Sequence, residues 1–187
     1  MDIFEQAETL NSMRILVDTR EQDTKRSRQR YSSFGVPFDR VPLKFGDYTW
    51  QCTIHGRPFF SDGSVTPLIA IERKMDLDEL AQCLTRSRDR FRREFERAKA
   101  TGARIILLIE NGSWDDLNDS HYRTRMNAHA FRSSLIAWIV RYNLNLIFCR
   151  ERDSGMMIKE ILYWDLKERL ERGEFDEDGL VQDIPTD

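Results

Sequence analysis

The chain has 187 residues, 29 Lys+Arg against 32 Asp+Glu, a formal charge of -3 and 40% hydrophobic residues, which excludes a wholly disordered chain and predicts one globular domain. No apolar run approaches the roughly 20 residues of a membrane span, and the acidic start Met1-Asp2-Ile3-Phe4-Glu5 is unlike a signal peptide, so a soluble cytoplasmic protein with no membrane partner is expected. Cys52, Cys83 and Cys149 are odd in number, far apart and form no C-x-x-C pair, so neither a disulfide framework nor a zinc site is suggested and reduced, buried thiols are expected.

In chain order, residues 1–13 read as an N-terminal extension. Arg14 to Asp18 is a short buried strand, followed by a basic loop, Lys25-Arg26-Ser27-Arg28-Gln29-Arg30. Phe38 to Tyr48 and Thr49 to Ile54 alternate apolar and polar residues as the strands of hairpins do, with turns at Phe45-Gly46 and His55-Gly56. Leu68 to Glu72 has the composition of a central strand. Leu77, Leu80, Ala81, Leu84, Phe91, Phe95 and Ala98 then share one side of a helix of about 24 residues, which breaks at Thr101-Gly102. Arg104 to Ile109 is the most hydrophobic strand, and Gly112 to Asn127 reads as a polar loop. Helices at Ala128 to Tyr142 and Met156 to Leu170 flank a strand at Leu144 to Cys149. Strand and helix alternate after the hairpins, which predicts an α/β fold with a mixed central sheet flanked by helices over 14–172.

The charge total conceals a segregation of signs. Lys25 to Arg30 carries four cations and no anion, and Arg86 to Arg104 carries eight cations against Asp89, Glu94 and Glu96. The C-terminal residues 173–187 form an acidic tail. On the long helix Arg86, Arg90, Arg93 and Arg97 fall on one side, opposite the apolar residues. That stripe is either an ordinary solvated face or a rail of contacts to the phosphates of a nucleic acid, whose repeated anions call for repeated cations.

A second group carries chemistry. Asp47 follows a turn glycine, while Glu72 and Lys74 end the next core strand and, two residues apart, share one face of it, with Arg73 on the other. With the Asp47 strand beside this one, two carboxylates and a lysine converge at one sheet edge. Adjacent buried carboxylates need a positive partner, and their hard oxygens suit Mg2+ or Mn2+. A metal so held assists phosphodiester hydrolysis, with Lys74 orienting or deprotonating the water. As an alternative, Asp47 is a turn residue and Glu72-Arg73-Lys74 an exposed strand end.

Gly46-Asp47, a spacer and Glu72-Arg73-Lys74-Met75-Asp76-Leu77-Asp78 resemble the signature G-D...E-R-K-x-x-x-D of the XPF family of structure-specific endonucleases. Ile15 to Glu21, an apolar run ending in Asp18-Thr19-Arg20-Glu21, resembles that family's first-strand motif, and Leu107-Leu108-Ile109-Glu110 also fits its pattern. The resemblance covers roughly residues 14 to 150. It implies a restriction-endonuclease-like fold and Mg2+-dependent cleavage of branched, flap or fork DNA. It further implies that Asp47 and Glu72 are metal ligands, that Lys74 activates water, that Asp18, Arg20 and Glu21 line the site, and that Arg73 and Asp78 support it. Asp78 also has a plain reading as a helix-opening residue facing the helix dipole.

Family members pair, so a homodimer or pairing with another nuclease-like domain is expected by resemblance, with Met156 to Leu170 either forming the dimer surface or packing on its own sheet. The chain after Ile147 is too short for the tandem helix-hairpin-helix module of many relatives, which suggests a bacterial or phage-type protein. The competing functional reading is a catalytically silent nuclease-like module that binds DNA or an active partner. His55, His121 and His129 show no metal spacing, and Trp114, Trp138 and Trp164 read as core or interface residues.

Overall fold

The structure, a computed structural model, describes residues 1–61 and 63–176. After the helix α1 (Ile3–Asn11), strand β1 (Arg14–Asp18) leads into helix α2 (Lys25–Ser32) and strand β2 (Phe38–Val41). Strand β3 (Tyr48–Gln51) precedes a two-stranded ribbon of β4 (Thr53–Ile54) and β5 (Arg57–Pro58). Then come β6 (Ile69–Lys74), α3 (Leu77–Leu84), α4 (Arg88–Ala100), β7 (Arg104–Glu110), α5 (Trp114–Asn118), α6 (Ala128–Tyr142), β8 (Asn145–Cys149) and α7 (Ser154–Glu171).

The central sheet has the order β2-β1-β3-β6-β7-β8. It is mixed: β2 and β1 are parallel, β3 is antiparallel to both β1 and β6, and β6, β7 and β8 are parallel. Both faces are covered, and side-chain alternation sends successive residues of each strand into different cores. Ile15, Val17, Tyr48, Trp50, Ile69, Ile71, Ile106 and Leu108 meet α7 on one face, and Ala70, Ile105, Leu107 and Ile109 meet α3, α4 and α6 on the other. Each fully buried Leu, Ile or Phe side chain contributes about 1.5–3 kcal/mol through removal of apolar area from water.

Four sequence expectations change. The basic segment is not a loop but the helix α2. Thr24 accepts from the Ser27 N–H and the Ser27 hydroxyl accepts from the Thr24 N–H, a reciprocal cap, and the helix buries Ser27, Arg30 and Tyr31. Its cationic composition concealed a narrow buried face. The alternating stretches on either side of Gly46 are not hairpin partners, because β1 lies between them, with Leu16 opposite Asp39 on one side and Thr49 on the other. Period-two alternation reports a half-buried strand but not its neighbour.

The expected long helix is two, since Thr85 leaves helical geometry at φ -118, ψ -87 and α4 begins only after Ser87. Both halves continue to bury one face, through Leu84 and Phe91. Lastly, α5 interrupts the segment read as a polar loop, with the Ser113 side chain accepting from the Asp116 N–H. For the helix read as Met156 to Leu170, the packing matches the second alternative: α7 places Ile158, Leu162, Leu166 and Leu170 on its own sheet.

Described residues on either side of the sheet domain join the same core. Met13 and Phe175 are buried and Leu10 packs beside them, so the extension and the first residues after α7 cover the sheet. Of the acidic tail, 177–187 lies outside the described residues. The three cysteines are unpaired, and burial pushes the Cys52 thiol up to about 12 and that of Cys149 up to about 11. Among the described residues no helix is long and apolar enough to cross a membrane.

Candidate active site

Strand β3 runs against β6, so the start of β3 meets the end of β6. The junction is made by Gly46, whose φ of +74 is the left-handed region and whose added Cβ would lie 2.6 Å from the Ala70 Cβ. Only glycine lets the chain turn this close to the neighbouring strand, and the turn delivers Asp47 to the edge: its N–H donates to the Ile71 carbonyl at 2.8 Å, and its Oδ2 accepts from the Arg73 N–H at 2.8 Å.

Glu72 and Lys74 point together to the α3–α4 side, and the Lys74 Nζ donates to Glu72 Oε1 at 2.5 Å. Asp47, Glu72 and Lys74 thus line one open cavity of about 790 Å3. The Arg20, Glu21, Arg26, Arg30, Arg73 and Arg90 side of this cavity adds charge, and Glu79, Cys83, Phe91 and Glu94 complete the wall. Burial and then the Glu72 charge push the Asp47 carboxyl well above the usual carboxylate range, while Lys74 and the Arg73 N–H oppose them. Burial pulls Lys74 down, but Glu72 and Asp47 outweigh it and hold the ammonium charged. Among the described residues, Asp47 Oδ1 and Glu72 Oε2 accept no hydrogen bond.

Arg73 does point to the opposite face of β6, where it enters a largely buried network whose Glu21, Arg30 and Arg73 also reach the cavity wall. Glu110, with a fully buried side chain, accepts from Arg30 Nε at 3.1 Å and from Arg73 Nη1 at 3.0 Å. Glu21 Oε1 accepts from Arg30 at 3.2 Å, Arg73 at 3.4 Å and the Tyr48 hydroxyl at 3.1 Å. Burial and the Glu21 charge push the Tyr48 phenol up, which keeps it a donor. Two guanidinium groups and two carboxylates balance, as buried charges must. Arg30 also donates to the Ser154 hydroxyl at 3.2 Å at the start of α7. There Gly155 admits the α2 backbone, since a Cβ would lie 2.4 Å from the Arg30 carbonyl oxygen.

The remaining expected site residues separate. Asp18 is buried outside the cavity lining, where it accepts from the Leu43 N–H at 2.8 Å and from the Arg20 Nε at 2.8 Å; it acts on the cavity through Arg20. Asp78 lies outside the cavity lining and accepts from the Arg123 and Thr124 N–H groups at 2.9 and 2.7 Å, tying down the segment before α6. Burial pushes its carboxyl up, but the Arg123 side chain and the Arg123 and Thr124 N–H groups outweigh it and hold the carboxyl below the usual range. Of the arginine stripe, Arg90 reaches the cavity, Arg93 is exposed beyond it, Arg97 pairs with Glu94 at 2.8 Å, and Arg86 lies in the break before α4.

Arg30 and Glu94 were not singled out as site residues, and Glu110 entered only as part of a family-like run. A glutamate ending an otherwise apolar strand was a usable signal for Glu110. Arg30 had one too, the helical spacing of Ser27, Arg30, Tyr31 and Phe34, which its cationic neighbours obscured. The histidines are all exposed, Trp138 is a core residue, and Trp114 and Trp164 are 38% and 50% exposed.

Comparison with known proteins gives a consistent family. The ERCC4 domain matches residues 17–161. Among solved structures, XPF from Aeropyrum pernix superposes with a TM-score of 0.58 at 18% identity, covering 87% of this chain and 69% of that one. XPF from Aeropyrum pernix in complex with DNA superposes with a TM-score of 0.57 at 20% identity, covering 84% of this chain and 66% of that one. No curated protein sequence matches significantly. The fold is restriction-endonuclease-like, and the chain belongs to the ERCC4-domain family, the family of the XPF nuclease domain.

Proposed function

We propose that this protein is a DNA endonuclease that uses Mg2+ or Mn2+ and acts at branched, flap or fork structures. The observation that carries the reading is the convergence of Asp47, Glu72 and Lys74 in one open cavity with a carboxylate oxygen of each acid left without a hydrogen-bond donor. Among the described residues no three His, Cys, Asp or Glu side chains form a ready metal cluster. Two carboxylates with free oxygens nonetheless fit Mg2+, which keeps several waters and completes its shell with substrate phosphate. Asp47 and Glu72 would hold it. When bound, such an ion lowers the pKa of a water, polarises the phosphoryl oxygen and steadies the leaving oxygen.

The chain's own groups account for the rest. Lys74, held charged beside Glu72, is placed to orient the attacking water and to offset the charge that develops on the phosphoryl oxygens. Arg20 and Arg90, on the cavity wall, present cations to the flanking phosphates. Arg73 acts on the site through its backbone, because its N–H holds the Asp47 carboxylate. The A. pernix XPF in complex with DNA supports DNA as the substrate class. Pairing with a second copy or with another nuclease-like domain belongs to the same reading, and sedimentation of the protein at several concentrations tests it.

The reading is tested with labelled duplex, single-stranded, flap, fork and four-way junction DNA, each incubated with Mg2+, Mn2+ or chelator. Cleavage of forks or flaps with metal, its loss in chelator and its loss in Asp47→Ala or Lys74→Ala are expected. Full cleavage in either variant or in chelator would overturn it.

A further inference from the structure

Glu94 is the anion that the proposed reaction does not use. It stands on the cavity wall within a run of arginines, and its side chain is only 14% exposed. Its Oε1 accepts from Arg20 Nη1 at 3.1 Å and pairs with Arg97 Nη2 at 2.8 Å. Its Oε2 is buried and has no hydrogen-bond partner among the described residues. A carboxylate with one oxygen shared by two cations and the other buried and unpaired is a poorly satisfied anion.

Both arginines are anchored without it. Arg20 donates to Asp18 at 2.8 Å and to the Leu43 carbonyl at 3.2 Å, and Arg97 donates to the Lys44 carbonyl at 3.0 Å. Two independently anchored guanidinium groups that converge on one anionic oxygen form the arrangement that grips a phosphodiester oxygen.

We propose that Glu94 is a built-in phosphate surrogate: it occupies the grip formed by Arg20 and Arg97 in the free protein and yields it to a nucleic-acid phosphate. Glu94 is thus a positioning residue that weakens backbone binding, so that a polyanion must compete for the two arginines. This inference rests on the nuclease reading above, since it requires a nucleic-acid ligand at the same cavity.

The test is binding of fluorescently labelled fork DNA in chelator, where metal-dependent cleavage does not intervene, over about 50 to 200 mM salt. Glu94→Gln is compared with wild type and with Glu96→Gln, an equal change in net charge at an exposed residue that pairs with Tyr142 instead. Glu94→Gln is expected to bind about three- to tenfold more tightly, with a salt slope steeper by about one. Glu96→Gln should stay near wild type, and the gain should shrink when Arg20→Gln is added. Glu94→Ala, which removes the buried oxygen altogether, carries the same expectation and guards against a folding defect specific to the amide.

Unchanged or weaker binding by both Glu94 variants, or an equal gain in Glu96→Gln, overturns the proposal. Wild-type cleavage of DNA without a gain in the Glu94 variants overturns it alone. If wild type neither binds nor cleaves DNA, the nuclease reading falls and takes this inference with it.

Discussion

Strand β6 sends consecutive charged residues to two different places, and the contrast between them separates a structural charge cluster from a reactive one. On the α2–α7 face, Arg73 joins Arg30, Glu21, Glu110 and Tyr48, and only Arg73 Nε among the buried polar atoms of that group lacks a partner. On the α3–α4 face, Glu72 and Lys74 meet Asp47 with free carboxylate oxygens and an open cavity above. The inventory is similar, carboxylates against cations. What differs is saturation: both oxygens of the buried Glu110 are paired, whereas Asp47 and Glu72, like Glu21 where the network reaches the cavity wall, each keep one oxygen for a ligand.

Breaking the saturated side should give the largest effect. Glu110→Ala leaves two buried guanidinium groups short of an anion and is expected to cost about 3–5 kcal/mol of stability, read from urea unfolding. Arg30→Met combined with Glu110→Leu should cost less than the two single changes added together, because it removes opposite charges in company. Strictly additive losses would show that Arg30 and Glu110 do not act as a unit.

On the unsaturated side, Lys74→Ala is expected to lower the cleavage rate by about 10²–10³, the usual effect of removing one charge-stabilising group. Its thermal midpoint should also fall, because Glu72 and Asp47 lose the ammonium that offsets their charge, but by less than in Glu110→Ala, since their cavity is open to water. A fall as large as that of Glu110→Ala would erase the proposed distinction between the two faces.

The turn that joins them is sensitive for a different reason. Gly46→Ala forces a side chain into left-handed backbone and against Ala70, and should cost about 1–3 kcal/mol along with much of the activity. Smaller effects are expected on the arginine stripe, where Arg90→Gln should flatten the salt dependence of DNA binding by about 0.9. Arg97→Gln should do less, as Arg97 is already paired with Glu94.

The smallest expected effect lies away from both clusters. Arg14 holds the Asp39 carboxyl below its ordinary 3.8, its hydrogen bond outweighing desolvation. A folded-state value below the unfolded one stabilises above the unfolded value and is lost as pH falls through the folded value. Asp39→Asn should therefore cost under about 1 kcal/mol for this half-exposed pair, and the difference from wild type should begin to shrink as pH falls below 3.8 and vanish only below the lower folded-state value.

Much of this molecule was legible in the residues. Apolar runs and their periods placed β1, β6, β7, α6 and α7, because burial on a strand or helix imposes a period on the chain itself. The Gly46-Asp47 and Glu72-Arg73-Lys74 motifs brought out the candidate site, since a two-residue spacing dictates which side chains share a strand face.

Tertiary structure decided the remainder. Which strand lies between Phe38–Val41 and Tyr48–Gln51 is a matter of pairing over long sequence distance, on which alternation is silent. The burial of Arg30 depends on Glu110, 80 residues away, and the state of Glu94 depends on Arg20, 74 residues away. A charge is saturated or open only through the groups that fold against it, so the order of residues tells where charged groups occur, and which of them are free to act follows from the fold.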